Sequence, residues 1–228
     1  MKKFIVFGQQ KSGTQLLRAY LNNHPKVVCY DELFVQKKNF DKLSSINTKK
    51  NIPVPFYHSI YGLNDFASVR AYLEDFFKVI YTESVEAVGF VIHYNQFNEE
   101  IRKVLIDMGF VVLHTVRDFK DLAIEEMLDD TKKKYDVVDA VDYYLKRKIH
   151  LGSQVTEVRE LMFNGTDLLT VEFEKMVSLK NGLLNKALRE KIFVDTLGVP
   201  DKIVHCDFAK LNLRSRIQLS QFTYYSSL

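Results

Sequence analysis

The sequence predicts one three-layer α/β/α domain on a central parallel sheet, of the P-loop nucleotide-binding type. Three observations carry that expectation. Short apolar runs alternate with longer segments whose apolar residues recur at helical spacing, the pattern of strands linked by crossover helices and covered on both faces. The first apolar run leads into Gly8-Gln9-Gln10-Lys11-Ser12-Gly13 and then a helical segment, the context in which a G-x-x-x-x-G spacing cradles phosphate. A chain of 228 residues with 46% hydrophobic content is long enough for one well-cored domain and is not a disordered composition.

Residues 4–7 (FIVF) read as a buried strand stopped by Gly8. Residues 14–22 read as a helix with Leu16, Leu17, Tyr20 and Leu21 on one side, and 27–30 as a second strand. Residues 35–65 are polar and rich in Lys and Asn, with Pro53 and Pro55. They read as a long irregular excursion, suited to a lid or acceptor-binding loop. A helix is expected over 66–82, where Val69, Leu73, Phe76, Phe77 and Ile80 share a face. Then come a strand at 87–92, a helix at 96–108, a strand at 110–116 and a helix over 121–130. Residues 132–165 form a helical insert, broken near Gly152-Ser153. The last strand is 168–172, and the last helix is 183–197, ending at Gly198. No repeat or low-complexity linker divides the chain.

The formal net charge of +3 is too small to predict nucleic-acid binding. Cys29 and Cys206 match no metal-ligand spacing and read as reduced thiols, and Asp31 and Asp129-Asp130 have no metal-binding companions. The opening MKKFIVFG is too short in its apolar part for a signal peptide, and no run is long enough to span a bilayer. The expectation is a cytoplasmic protein with no membrane or nucleic-acid partner. Asn164-Gly165-Thr166 then reads as a turn rather than a glycosylation site. Tyr143-Tyr144 and Phe76-Phe77 read as core.

The loop after the first strand carries the chemistry. Glycines let successive N–H groups point at one anion, and the positive end of the following helix adds to the attraction. A nucleoside triphosphatase needs Lys and then Ser or Thr after the second glycine, for phosphate and Mg²⁺. Here those places hold Thr14 and Gln15, and the lysine comes earlier, at Lys11. Gln10, Lys11, Ser12, Gly13, Thr14 and Gln15 therefore suit a 5′-phosphate group held with one ammonium and no metal. The plain alternative is an ordinary glycine-containing turn.

KSGTQLL, followed by LNNHPKVVCYDELF, resembles the start of the sulfotransferases that use 3′-phosphoadenosine 5′-phosphosulfate (PAPS). That family shows a Lys/Arg-Ser-Gly-Thr-Thr loop, a helix, then His-Pro and an acidic residue before an aromatic one. VVLHTVRDFKDLAIEEM resembles its strand–Arg–helix element for the 3′-phosphate, LLTVEFEKMV its later strand-to-helix signature, and TLGVP its Phe-Leu-Gly-Val-Pro segment. The four segments come in the family's order and span most of the chain. Two positions depart. Gln15 stands where the family has Thr, though its amide can still donate to phosphate. Glu125 stands where the family has Ser, and a carboxylate there repels a 3′-phosphate unless a cation neutralises it.

The resemblance implies metal-free transfer of a sulfuryl group from PAPS to a hydroxyl or amine of a small-molecule or saccharide acceptor, leaving adenosine 3′,5′-bisphosphate. Lys11 would stabilise the leaving phosphate. Glu32, in YDELF, matches the catalytic glutamate of bacterial-type members, and His93 lies where cytosolic-type members draw a histidine. Glu32 ranks first as base, with His93 as second base or orienting group. Arg117 would take the 3′-phosphate, with Arg214 or Arg216 closing over the donor.

The residues themselves leave other readings open. Leu33 and Phe34 would desolvate Glu32 and raise its pKa, which suits a base. The same carboxylate could instead serve a helix start. His93 could be structural, and Arg117 could pair with Asp118 or Asp121. Lys37, Lys38, Lys49 and Lys50 read as solvated, or as attracting an anionic acceptor. Two other functions compete: a kinase with a degenerate P-loop, and a binding protein that has lost turnover.

Overall fold

The computed structural model describes residues 1–34, 65–80, 84–118, 122, 168–177 and 184–202. Five strands form one all-parallel sheet: β1 (Lys2–Gly8), β2 (Val27–Tyr30), β3 (Ala87–His93), β4 (Val111–Val116) and β5 (Leu168–Glu172), in the order β2-β3-β1-β4-β5. The helices are α1 (Thr14–Asn23), α2 (Phe66–Ile80), α3 (Glu99–Asp107), α4 (Phe173–Val177) and α5 (Lys186–Glu190). The excursion at 35–64, the insert at 132–165, Glu125, Arg214, Arg216, Cys206 and the 121–130 helix apart from Leu122 lie outside the described residues.

The run FIVF is apolar throughout because β1 is the central strand and both its faces are buried. Phe4 and Val6 enter one core with Leu16, Leu17, Tyr20 and Leu21 of α1 and with Ile192, Phe193 and Leu197. Ile5 and Phe7 enter the opposite core, with α2 and α3. The expected three-layer α/β/α arrangement with a parallel sheet is therefore the observed one.

Two helix starts differ from expectation by three residues, each for a local reason. The helix expected from residue 96 starts at Glu99, because Asn98 caps it by accepting the Ile101 N–H (2.9 Å), and Glu99 and Glu100 complement its positive end. Ahead of it, Tyr94–Gln96 forms a 3₁₀ turn. The helix expected over 183–197 starts after the Asn185 cap and widens into a π-helical stretch, Lys191–Thr196. There the Leu197 N–H reaches back to Ile192 O (3.0 Å), and Gly198 ends the segment at φ 67°.

Segments far apart in sequence meet in this frame. His24 of the His-Pro pair accepts the Lys26 N–H at Nδ1 (3.2 Å) and donates from Nε2 to Pro200 O (2.9 Å), while its ring stacks on Phe193. The LNNHP and LGVP segments thus close on each other. On the opposite core, Phe90 is fully buried among Phe34, Phe76 and Phe110, with ring centroids at 5.8, 6.0 and 5.8 Å. Phe90→Ala should cost about 3–5 kcal/mol in urea unfolding, whereas Lys78→Ala on the exposed face should stay within about 0.5 kcal/mol.

Candidate active site

The parallel register sets Gly8 at the end of β1 opposite His93 of β3 on one side and Thr115 of β4 on the other. β1 is also where the chain's strand order reverses direction, the place where open α/β sheets form a ligand crevice beyond their carboxyl ends. The loop Gly8–Gly13, the Asp31-Glu32 pair after β2, His93 and Arg117 all stand on that edge.

The loop is held from below. Ser12 Oγ donates to Gln9 O (2.7 Å) and shares a 2.8 Å hydrogen bond with the Thr115 hydroxyl. A Cβ on Gly8 would lie 2.2 Å from Thr115 Oγ1 and 2.5 Å from Ser12 Oγ, so a side chain there would displace this brace. At the other end Gly13 has φ 99°, and Phe173 Cδ2 would be 2.5 Å from a Cβ. Between them Lys11 takes the left-handed conformation, φ 70°, with its side chain at the surface. Its carbonyl accepts from Arg117 Nη1 (3.1 Å), and the Arg117 guanidinium lies over the Phe173 ring at 4.2 Å. Arg117, almost fully buried, thus touches the loop itself.

α1 follows Gly13 as its N-cap, with no side-chain cap and no acidic residue in its first turn. The amides of that turn have no intrahelical acceptor, so the helix offers its positive end to whatever sits above the loop. Ser12 spends its hydroxyl on the brace, while Thr14 is buried beside it and Lys11 lies at the surface. The Gln15 amide donates to Asp31 Oδ1 (2.7 Å) and accepts from Arg18 Nε (2.8 Å). Asp31, buried, also pairs with Arg18 Nη2 (3.2 Å) and accepts the Glu32 N–H (3.0 Å). Gln15 therefore connects the glycine-bounded loop to the segment that carries Glu32.

β2 stops at Tyr30, opposite Phe90, while β3 runs on to His93. Glu32 therefore passes beside the end of β3, and its Oε1 lies 3.3 Å from His93 Nε2. The two candidate bases form one pair. His93 Nδ1 is 3.1 Å from Gly8 O; a carbonyl only accepts, so that nitrogen carries its proton. Nε2 and Oε1 must then share a further proton or face each other as two lone pairs. Gln96, between β3 and α3, completes the arrangement. Its Oε1 accepts the His93 backbone N–H (2.9 Å), and its amide nitrogen donates to Glu32 Oε2.

Burial is the largest influence on the Glu32 carboxyl and pushes its pKa up. The hydrogen bond and charge of His93, the Gln96 amide and the Arg18 charge outweigh it, and the pKa lies below the ordinary glutamate value. The expected raised pKa is thus reversed, because the sequence shows Leu33 and Phe34 but not the partners brought in by β3. Of the two, Glu32 is the more accessible, with 18% of its side chain exposed against 6% for His93.

Sequence reasoning did not single out Thr115, Arg18 or Gln96. Only contact reveals them, since Thr, Arg and Gln at those positions fit no motif. Among the described residues no group of three or more His, Cys, Asp or Glu side chains could hold a metal ion. No described helix is long and apolar enough to cross a membrane.

A five-stranded parallel sheet with helices on both faces and a glycine-bounded loop after its central strand defines a doubly wound α/β protein. More particularly, the fold is sulfotransferase-like. The crystal structure of a sulfotransferase from Alicyclobacillus acidocaldarius matches it with a TM-score of 0.53 at 15% identity, covering 100% of this chain and 92% of that one. No protein-family model matches the chain, and no curated protein sequence matches it.

Lys11→Gly should be neutral or stabilising by up to about 1 kcal/mol in urea unfolding, unlike most substitutions to glycine, because it relieves a left-handed side-chain residue. Glu32 yields a pH prediction. A carboxyl with a lowered folded-state pKa contributes stability above the ordinary carboxylate range and loses it as pH falls through the lowered value. Unfolding curves of wild type and Glu32→Gln between neutral and acid pH should therefore converge on the acid side; parallel curves would contradict the lowered pKa.

Proposed function

We propose that the chain is a sulfotransferase that moves a sulfuryl group from PAPS to a hydroxyl or amine of a small-molecule or saccharide acceptor, without a metal. The observation that carries this reading is the row Glu32–His93–Gly8–Thr115: a carboxylate–imidazole pair stands one strand away from the glycine-bounded loop. The sulfotransferase-like fold supports it. So does the fit of the loop to a phosphate group, with glycines where side chains would clash and an uncapped, acid-free helix start.

The donor's 5′ side would sit on the amides of Gly13, Thr14 and Gln15, with Lys11 beside it. As the acceptor oxygen or nitrogen bonds to sulfur, the bond from sulfur to the bridging phosphate oxygen breaks. The electron pair leaves with adenosine 3′,5′-bisphosphate. Lys11 stabilises that leaving charge, a contact worth about 3 kcal/mol, or roughly two decades in rate. The acceptor's proton passes to Glu32, the more exposed member of the pair, with His93 steadying the carboxylate from behind. Arg117 holds the loop through the Lys11 carbonyl and contributes positive charge to the donor side. Its assignment to the 3′-phosphate belongs to this reading, as do the closing of Arg214 or Arg216 over the donor, a neutralised Glu125 near that phosphate, and a cytoplasmic location.

Adenosine 3′,5′-bisphosphate should raise the melting temperature in the presence of a chelator, and ATP with Mg²⁺ should not match it. Lys11→Ala should lower transfer of label from radioactive PAPS by about 100-fold with little change in bisphosphate affinity. Stabilisation by ATP–Mg²⁺ alone would identify a kinase instead. Bisphosphate binding with no labelled product from a broad acceptor panel would identify a binding protein.

A further inference from the structure

We propose that Gln96 is a positioning residue: its amide aims the Glu32 carboxylate at His93 Nε2, so that the two side chains act as one proton-holding unit anchored on the loop carbonyl of Gly8. The catalytic meaning of this unit rests on the transfer reading above; its geometry does not.

The orientation of the Gln96 amide follows from its neighbours. The His93 backbone N–H can only donate, so the group facing it at 2.9 Å is the Gln96 oxygen. That leaves the amide nitrogen pointing at Glu32 Oε2, where it donates. One carboxylate oxygen is thus engaged by Gln96 and the other faces His93 at 3.3 Å. The His93 ring is fixed from its far side by Gly8 O at 3.1 Å. Gln96 is well placed for this because the 3₁₀ turn Tyr94–Gln96 brings its side chain back over the end of β3.

The charged and titratable groups around Glu32 come from each packed element. His93 faces it from β3, Arg18 acts on it from α1, and Asp31 precedes it and accepts its N–H. Asp31 is itself paired with Arg18, so its charge is compensated locally. Gln96 is the uncharged member of the set, and it donates to Glu32 whatever the pH. Removing that donor weakens the ionised form of Glu32; replacing it with an acceptor weakens that form further. Gln96→Met and Gln96→Glu therefore form a graded pair. Gln96→Glu still offers an oxygen to the His93 N–H, so the turn is retained, while its second oxygen opposes Glu32.

The test is a ¹³C-carboxyl NMR titration of Glu32 in the full chain, with the resonance assigned by its loss in Glu32→Gln. Relative to wild type, the Glu32 midpoint should move up in Gln96→Met and further up in Gln96→Glu, with Gln96→Glu keeping a near-normal melting temperature. Should Gln96→Met not fold, the upward shift in Gln96→Glu carries the test. An unmoved midpoint in a folded Gln96→Glu overturns the proposal. Where PAPS turnover is measurable, the acid limb of kcat should move up in the same order, with about tenfold loss on the acid side and an unchanged KM for the donor. A fall in kcat equal at every pH, with no movement of the limb, also overturns it. The titration needs no substrate, so a shifted midpoint in a protein that ignores adenosine 3′,5′-bisphosphate would retire the sulfuryl-transfer reading and leave the positioning role standing.

Discussion

The alignment of Gly8, His93 and Thr115 across three parallel strands is the constraint on which the rest of the site depends. A parallel sheet brings the carboxyl ends of its strands to one edge, and the central strand delivers its following loop between its two neighbours. Here one neighbour braces that loop from beneath, through the Thr115–Ser12–Gln9 hydrogen bonds. The other neighbour takes hold of its first carbonyl through His93. A glycine at position 8 is what permits the brace, because any side chain would occupy the space of the two hydroxyls. The glycine-bounded loop and the Glu32–His93 pair are therefore not separate devices placed near each other. They share the Gly8 peptide.

The polar groups of the site form a connected chain. It runs from the first turn of α1 through Gln15 to Asp31 and Arg18, along the backbone to Glu32, and on to His93, Gln96 and Gly8. Several of these groups are buried, where an unpaired charge or donor would cost stability, and these contacts offset that cost. The consequence for Glu32 is chemical. Desolvation alone would favour its neutral form, but its partners favour the ion. In the proposed transfer, a carboxylate kept ionised and pointed would take the proton as charge develops on the attacking acceptor. In the proposed transfer Lys11 has the opposite part, at the leaving side, and the loop holds it in a left-handed conformation.

The four segments that carried the family resemblance prove to be neighbours in space. Phe173 of the LLTVEFEKMV segment fills the volume above Gly13 and stacks with Arg117 of the HTVRDF segment. Arg117 in turn holds the Lys11 carbonyl, and His24 holds the carbonyl of Pro200. Each segment thus meets another through a named contact. It also assigns Arg117 a structural contact that the resemblance did not suggest.

Much of the fold was legible in the sequence, because it depends on local pattern. The all-apolar FIVF run, the helical spacing of Leu16, Leu17, Tyr20 and Leu21, and the alternation of such segments are direct consequences of burial on one face or two. Gly8, Lys11 and Gly13 were legible as a loop for the same reason: backbone freedom and charge are written in single residues. What the sequence could not state is which groups meet. Glu32 and His93 are 61 positions apart by number yet in contact through the strand order and the early end of β2. The direction of the Glu32 pKa, the tautomer of His93, the role of Gln96 and the engagement of Gln15 by Asp31 all follow from that meeting. Local chemistry names the candidates; only the sheet, by bringing distant strand ends within hydrogen-bond reach, determines their partners and so their protonation.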